Sequence, residues 1–196
     1  MTDAGGVFAD WIRGLADPDP GARKVSATRL FRAGGLLLGS AADEWLKDGE
    51  FGELAGGGPN PKYTVGIAVQ PENFKKIRAA NGSPRLADAP PDQDAKEFEL
   101  HFEEGGDLDI LTTREPGGSG AIARYLQKFG EGIQQIEVNV TDIDRASEIL
   151  RTRFDLAPIY PATRPGADGT RVNFFLVPTR SGGKVLIELV EPAANK

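Results

Sequence analysis

Apolar and polar residues alternate with a period of two in six stretches after residue 62, the pattern of strands that bury one face. These predicted strands cover residues 63–69, 96–104, 107–113, 133–140, 170–178 and 184–192. A further short strand is predicted at 157–162, and an eighth is assigned to the turn-rich stretch 83–94. Apolar residues at helical spacing predict helices over 71–80, 121–129 and 142–154.

The first 58 residues have a different pattern, which predicts three helices. The first helix places a set of apolar residues on one face: Val7, Phe8, Trp11, Ile12 and Leu15. The prolines of DPDP at 17–20 end it, and Gly34 and Gly35 separate the other two helices. The stretch 55–61 is typical of a linker. The favoured interpretation is an extension packed on the main body, and the alternative is an arm for docking a partner or for dimerisation.

The rest of the chain is duplicated. TVGIAVQPENFKKI, which begins at Thr64, aligns with QIEVNVTDIDRASEI, which begins at Gln135. LDILTTREP, which contains Asp109, aligns with IELVEPAA, which contains Glu188, after an insertion of eight residues in the second half. The repeat predicts an α+β fold in which two βαβββ units form a curved, eight-stranded cup. It also predicts that the equivalent positions, Thr64 with Gln135 and Asp109 with Glu188, line one cavity.

The predicted boundaries follow from this organisation. They are 1–58 for the helical extension, 59–116 for the first unit, 117–131 for a linker helix and 132–196 for the second unit.

Composition excludes several classes of function. The 196 residues are 39% hydrophobic, which is enough for a sizeable core, and the net charge of −6 argues against non-specific nucleic-acid binding. The absence of cysteine excludes disulfides, thiolate nucleophiles and sulfur-ligated metals, and a single histidine, His101, excludes multi-histidine metal sites. There is no secretory signal and no apolar run of the ~20 residues that a membrane span needs. We therefore expect a soluble, cytoplasmic protein.

The duplicated part resembles the vicinal oxygen chelate superfamily, and within it the methylmalonyl-CoA epimerase family. The family has HIGIAV where this chain has TVGIAV, and GEGIHHIAFEV where this chain has GEGIQQIEVNV. It has GARVAFLHP and GGVLIELVEP where this chain has GTRVNFFLVP and GGKVLIELVEP. The resemblance covers residues 62–192 and implies the fold of that superfamily.

The resemblance also implies a ligand set. The positions of the family's metal ligands are matched here by four residues: Thr64, Asp109, Gln135 and Glu188. Both imidazoles of the family are thus replaced, and zinc, cobalt and nickel favour imidazole nitrogen. We expect a metal-free polar cavity without a cofactor, and the alternative is a divalent metal held by Asp109, Gln135 and Glu188.

Two carboxylates in such a cavity suggest acid/base chemistry. If Asp109 and Glu188 face each other without a metal, one holds a proton while the other stays ionised. The pair can then take a proton from a carbon next to a carbonyl and return one from the other side. Thr64 and Gln135 would serve as substrate-binding donors for the enolate oxygen.

Strand alternation adds four more candidate site residues. If Phe98, Leu100 and Phe102 point away from the cup, Glu99 and His101 point into it. His101 would then be a catalytic acid/base, because of its intrinsic pKa, and the alternative is a surface residue without a role. By the same alternation, we expect Asn173 and Phe175 to line the pocket wall in the second unit.

These observations predict an enzyme that acts on a small carbonyl compound or acyl thioester. The reaction would be a proton transfer through an enolate, catalysed by carboxylates as an epimerase, isomerase or lyase, without a transition metal. The expected partner is a small-molecule substrate. Neither nucleic acid nor a membrane is expected as a partner, and a homodimer is compatible with the sequence. The alternatives are a non-catalytic binding or resistance protein of the same fold, and an accessory subunit that docks a partner through its N-terminal helices.

Overall fold

The structure is a computed structural model that describes residues 4–57, 61–103, 106–180 and 182–193, without side chains for residues 4–6. Three predictions from the sequence involve residues outside these ranges. They are the linker at 55–61 with the boundary between residues 58 and 59, the end of the strand predicted over 96–104, and the last residues of the unit predicted over 132–196.

Six α-helices and seven strands are present in the described residues, so the α+β class is confirmed. The helices are α1 Ala4–Gly14, α2 Pro20–Ala42, α3 Gly49–Leu54, α4 Pro71–Ala80, α5 Ala121–Phe129 and α6 Ile143–Arg153. The strands are β1 Tyr63–Ala68, β2 Lys96–Phe102, β3 Gly106–Thr112, β4 Gly132–Asn139, β5 Arg164–Pro165, β6 Arg171–Pro178 and β7 Lys184–Glu191. Short 3-10 helices lie at Trp45–Lys47 and Ala167–Gly169. Each of the six alternating stretches contains one of these strands.

The prediction of eight strands is wrong for the described residues. The stretch 83–94 contains no strand, because its prolines cannot donate to a ladder. Arg114 donates to the carbonyl oxygen of Ala89, inside this stretch, at 3.4 Å, and to that of Ala95, which follows it, at 2.8 Å. The strand predicted at 157–162 is reduced to one isolated bridge between Pro158 and Phe175, and the short strand lies later, at β5.

The prediction that Gly34 and Gly35 separate two helices is also wrong, since α2 runs through both. A glycine inside a helix costs roughly 1 kcal/mol relative to alanine, so another contact must favour it here. A Cβ atom on Gly35 would lie 2.5 Å from the hydroxyl oxygen of Tyr63. Gly35 therefore lets the tyrosine ring approach the helix backbone.

The chain forms two compact units. Unit 1 contains Met1–Gly34 and Thr64–Gln134, and unit 2 contains Gly35–Tyr63 and Gln135–Lys196. The N-terminal helical segment is therefore divided between the units, and each unit combines part of it with one copy of the repeated sheet.

Unit 1 has the strand order β2-β3-β1, with β2 antiparallel and β1 parallel to β3. Helix α4 covers one face, where the rings of Phe74 and Phe98 are 4.8 Å apart. The opposite face is covered at one end by α5, through an apolar cluster of Ala68, Ala95, Leu111, Ile122 and Leu126. The rest of that face carries polar side chains.

The N-terminal helices pack into unit 1 through polar and apolar contacts. Asn81, which follows α4, donates to the carbonyl oxygen of Leu15 at 2.9 Å and accepts from Arg23 at 3.1 Å. Leu15 and Leu30 are fully buried. This part of the helical segment is thus a structural part of the unit.

Unit 2 has the strand order β4-β7-β6-β5. Strand β7 is parallel to β4 and antiparallel to β6, and β5 is antiparallel to β6. Helix α6 carries a buried apolar face of Ile143, Ala146, Ile149 and Leu150. Helix α3 is joined to α6 by ion pairs, from Arg145 to Glu50 at 2.6 Å and from Arg153 to Asp48 at 2.8 Å.

None of the helices in the described ranges is both long and apolar enough to cross a membrane.

Candidate functional site

A hydrogen-bonded carboxylate cluster lies on the sheet of unit 2. Gln135 on β4 donates from its side-chain nitrogen to the Glu188 carboxylate on β7, at 2.5 Å, and to Glu137 Oε1, at 3.1 Å. Gln135 and Glu188 are 7% and 8% exposed, so this contact is buried. Because charge-assisted hydrogen bonds are strong in a desolvated setting, the amide fixes both carboxylates on one side of the sheet. We name this side, which carries Gln135, Glu137 and Glu188, the Glu188 face.

Glu137 is a site residue that the sequence reasoning missed. It lies directly opposite Glu188 in the parallel register of β4 and β7. Alternation along β4 already places Glu137 on the side of Gln135, and this signal could have identified it. The sequence alone does not give the register between β4 and β7, and that register makes Glu137 and Glu188 neighbours.

Unit 1 contains the equivalent pair in the same register. Asp109 on β3 lies opposite Gly66 on β1, and Thr64 precedes Gly66 by two residues. In unit 2 Glu188 lies opposite Glu137, and Gln135 precedes Glu137 by two residues. The predicted equivalence of the two pairs is thus confirmed within each sheet. Thr64 and Asp109 are buried, at 7% and 6% exposure.

The side chains of Glu99 and His101 share the face of Asp109, as strand alternation predicts. Glu99 is opposite Asp109 and His101 is opposite Asp107 in the antiparallel register of β2 and β3. The His101 ring lies between two carboxylates, with Nδ1 2.9 Å from Asp107 and Nε2 3.2 Å from Glu99. The His101 side chain is 67% exposed, so the site around it is open to water.

The structure does not place Asn173 and Phe175 on the Glu188 face. Phe174 is the residue opposite Glu188 in the β6–β7 register, so its neighbours in sequence point to the other side. Asn173 donates to the hydroxyl of Ser147 on α6, at 3.2 Å, and Phe175 is fully buried. The prediction that Asn173 and Phe175 share a face with Glu188 is therefore wrong by one residue, and Phe174 and Leu176 lie on that face.

Comparison with solved structures supports one family. The chain aligns with the crystal structure of methylmalonyl-CoA epimerase from Mycobacterium tuberculosis at 32% identity and a TM-score of 0.54, covering 67% of this chain and 87% of that chain. The chain belongs to the vicinal oxygen chelate superfamily. The resemblance and fold class predicted from the sequence are thus confirmed.

Other solved members of the superfamily show the same fold. A hypothetical protein from Bacillus halodurans C-125 aligns at 26% identity and a TM-score of 0.54, covering 68% of this chain and 94% of that one. A Streptomyces coelicolor methylmalonyl-CoA epimerase variant in complex with 2-nitronate-propionyl-CoA aligns at 24% identity and a TM-score of 0.52, covering 67% and 96%. No protein-family model matches the chain, and no curated protein matches it.

The residues at the four positions differ from the ligand set that the resemblance implies. In unit 2 the side-chain N–H of Gln135 donates to Glu188, and the amide oxygen, which is the atom that could bind a metal, is a weaker ligand than an imidazole nitrogen. The hydroxyl of Thr64 is likewise a poor substitute for an imidazole. Within the described ranges, no group of three or more His, Asp or Glu side chains is arranged to hold a metal ion.

Proposed function

We propose that the chain is an enzyme that transfers a proton at the carbon next to the carbonyl of an acyl thioester, with Glu188 as the base. The observation that carries the proposal is the buried Glu188 carboxylate, held by Gln135 beside Glu137. Relatives in the superfamily include methylmalonyl-CoA epimerases, one of which is solved with methylmalonyl-CoA. An epimerase, an isomerase and a lyase share this first step.

The proton transfer to Glu188 needs no oxidant or reductant. The Glu188 carboxylate takes the α-proton, and the electron pair of the broken C–H bond forms the Cα–C double bond of an enolate. The carbonyl π electrons move to the enolate oxygen, which hydrogen-bond donors stabilise. Return of a proton to the α-carbon restores the thioester, and return on the opposite side inverts the configuration.

The pairing of Glu137 with Glu188 supports this role. Two neighbouring carboxylates repel each other, and sharing one proton relieves the repulsion. The N–H groups of Gln135 then hold the remaining negative charge in place. A base that is held in this way needs no metal for its positioning, which is why we propose a metal-independent reaction.

A reaction without a metal has a consequence for the substrate. A divalent cation contributes several kcal/mol to enolate stabilisation, and neutral donors contribute less. The α-proton of the substrate must therefore be acidified by the substrate itself, or the reaction must be slower than that of a metal-dependent relative.

Deuterium exchange tests the proposal. A 2-substituted acyl-CoA in D₂O should gain deuterium at the α-carbon in the presence of the protein, measured by mass spectrometry. We expect Glu188→Gln to reduce this exchange by roughly 100-fold or more, because an amide cannot accept the proton. Glu148→Gln, on the exposed side of α6, is the matched control and should not change the rate. Tight stoichiometric binding without exchange would instead support a non-catalytic binding protein.

A further inference from the structure

Asn81 and Gly82 are the one Asn–Gly pair of the sequence. The pair lies in the turn that ends α4, and Gly82 is exposed, with a φ of 78°. Because glycine has no side chain, its backbone nitrogen is less hindered than that of any other residue. Asparagine is a chemically labile residue, and an asparagine before glycine is the most prone to deamidation, the loss of its side-chain nitrogen as ammonia.

The covalent step needs water and no oxidant or reductant. The backbone nitrogen of Gly82 gives its proton to water or hydroxide and attacks the side-chain carbonyl carbon of Asn81. The new C–N bond closes a succinimide ring, and the bond from that carbon to Nδ2 breaks to release ammonia. Water then opens the ring at either carbonyl group, which leaves an aspartate or an isoaspartate. Within the ranges that the structure describes, the Gly82 N–H donates to no backbone oxygen, so water can reach the nucleophile.

In the folded protein the side chain of Asn81 is held away from this reaction. Its Nδ2 donates to the carbonyl oxygens of Leu15, at 2.9 Å, and Ile77, at 2.8 Å. Its Oδ1 accepts from Nε of Arg23 at 3.1 Å. Two acceptors and one donor fix the orientation of the amide. The side chain thus points back along α4, and ring closure has to turn it towards Gly82 and break these hydrogen bonds.

Two of the three partners come from the N-terminal helices. Leu15 directly follows α1 and is fully buried. Arg23 on α2 also donates to the carbonyl oxygens of Asp17, at 2.8 Å, and Pro18, at 3.2 Å. One guanidinium therefore joins the α1–α2 turn to the end of α4, and separation of these helices from α4 releases the Asn81 side chain. Local openings of this kind need less free energy than global unfolding.

We infer that Asn81 is a deamidation site that the docking of the N-terminal helices protects, and that deamidation makes their release permanent. The product has a carboxylate in place of the amide. A carboxylate cannot donate to the carbonyl oxygens of Leu15 and Ile77, so oxygen faces oxygen at both contacts. Isoaspartate also adds one carbon atom to the backbone. The contact with Arg23 stays favourable but does not replace the two lost hydrogen bonds.

Incubation of the intact chain at mildly alkaline pH, with and without urea, tests the protection. Mass spectrometry of the peptide that contains Asn81 measures the replacement of –NH₂ by –OH. We expect deamidation to be at least about tenfold slower in the folded protein, because only the opened fraction reacts. Asn139, which the β-branched Val140 follows, is the internal control and should remain unmodified. Equal rates in both conditions, or no reaction of Asn81 in urea, would overturn the inference.

A substitution on α2 tests the protection without denaturant. Arg23→Leu removes the guanidinium that holds Asn81 and should speed deamidation of the folded protein by roughly threefold or more. Arg29→Leu, at an exposed position of the same helix, is the matched control and should leave the rate unchanged. The same rate in Arg23→Leu as in the unsubstituted protein would contradict the protective role of the N-terminal helices.

The effect of the product is measured on Asn81→Asp, which has the side chain of one product. Its melting temperature should be lower by roughly 3–8 °C, because two hydrogen bonds to carbonyl oxygens are lost. Hydrogen exchange should become faster in α1 and in the first turns of α2, with α6 unchanged. A melting temperature and an exchange pattern equal to those of the unsubstituted protein would show that the carboxylate does not release the helices, and would overturn the inference.

Discussion

At the residue scale, two adjacent glutamines of β4 have opposite environments although both are buried. Gln135 donates to Glu188 and Glu137. Gln134 lies on the other side of the strand, with the buried Ile136 and Val138, and its Oε1 accepts no hydrogen bond. The Gln135 amide therefore donates to charged partners, whereas the Gln134 amide has a buried oxygen that accepts no hydrogen bond.

This difference predicts opposite effects of the same substitution. We expect Gln135→Leu to lower the free energy of unfolding by about 1–3 kcal/mol, because a buried carboxylate loses a hydrogen-bond donor. Gln134→Leu should be neutral or stabilising, since it removes a buried oxygen that has no donor. Urea denaturation of both variants at neutral pH measures the two values. Equal destabilisation would show that the hydrogen bonds to the carboxylates contribute little.

Tyr125 on α5 gives a prediction at alkaline pH. Burial raises its pKa from 10.0 to about 12, and its hydroxyl donates to the carbonyl oxygen of Ile133 at 2.8 Å. The unfolded chain thus releases this proton at a lower pH than the folded protein, so stability should fall as pH rises from about 10 towards 12. Tyr125→Phe should weaken that decrease, which thermal unfolding at pH 8 and pH 11 would detect. An identical decrease in the variant would contradict the assignment.

At the scale of elements, the six alternating stretches and the helices α4, α5 and α6 were predicted at their observed positions, whereas the contacts of these elements were not. Alternation fixed which residues of β4 share a side, because that period is local. It could not choose between Phe174 and Phe175 as the neighbour of Glu188, since the choice depends on the register with β7. The sequence also had no signal for α2 continuing through Gly35, where the reason is a contact with Tyr63.

The contact between α2 and the start of β3 is testable by two glycine substitutions. Gly106 has φ of 81°, and a Cβ there would lie 2.3 Å from the ring of Phe31 on α2. Gly82, with φ of 78°, has open space around it. Gly82→Ala should lower the free energy of unfolding by about 1–2 kcal/mol because of its left-handed conformation alone. Gly106→Ala should lower it more, because the added Cβ also meets the Phe31 ring. If thermal or chemical unfolding gave the same loss in the free energy of unfolding for both variants, Phe31 would move aside without a cost in stability.

At the scale of the whole molecule, the N-terminal helical segment contributes to the core of each unit. Three of its residues, Ile12, Leu15 and Leu30, are fully buried in unit 1. Trp45 and Phe51 are buried in unit 2, at 3% and 0% exposure. This favours the packed interpretation of the segment over a docking arm.

Removal of residues 1–58 should therefore abolish or strongly weaken folding. Each large buried apolar side chain contributes roughly 1.5–3 kcal/mol, and a whole domain is stable by only about 5–15 kcal/mol. Circular dichroism and thermal unfolding of the shortened chain measure the effect. An unchanged melting temperature, together with loss of a copurifying partner, would instead support the accessory-subunit alternative.

The sequence by itself determined the duplicated α+β architecture, the superfamily and the equivalence of Thr64 and Asp109 with Gln135 and Glu188. These follow from local periodicity and from the repeat, which a single chain displays directly. The prediction that all four residues line one cavity stays a prediction. Tertiary structure alone decided that Glu137 stands beside Glu188 and that Phe174 lies opposite it, because register depends on hydrogen bonds between strands that are distant in the chain.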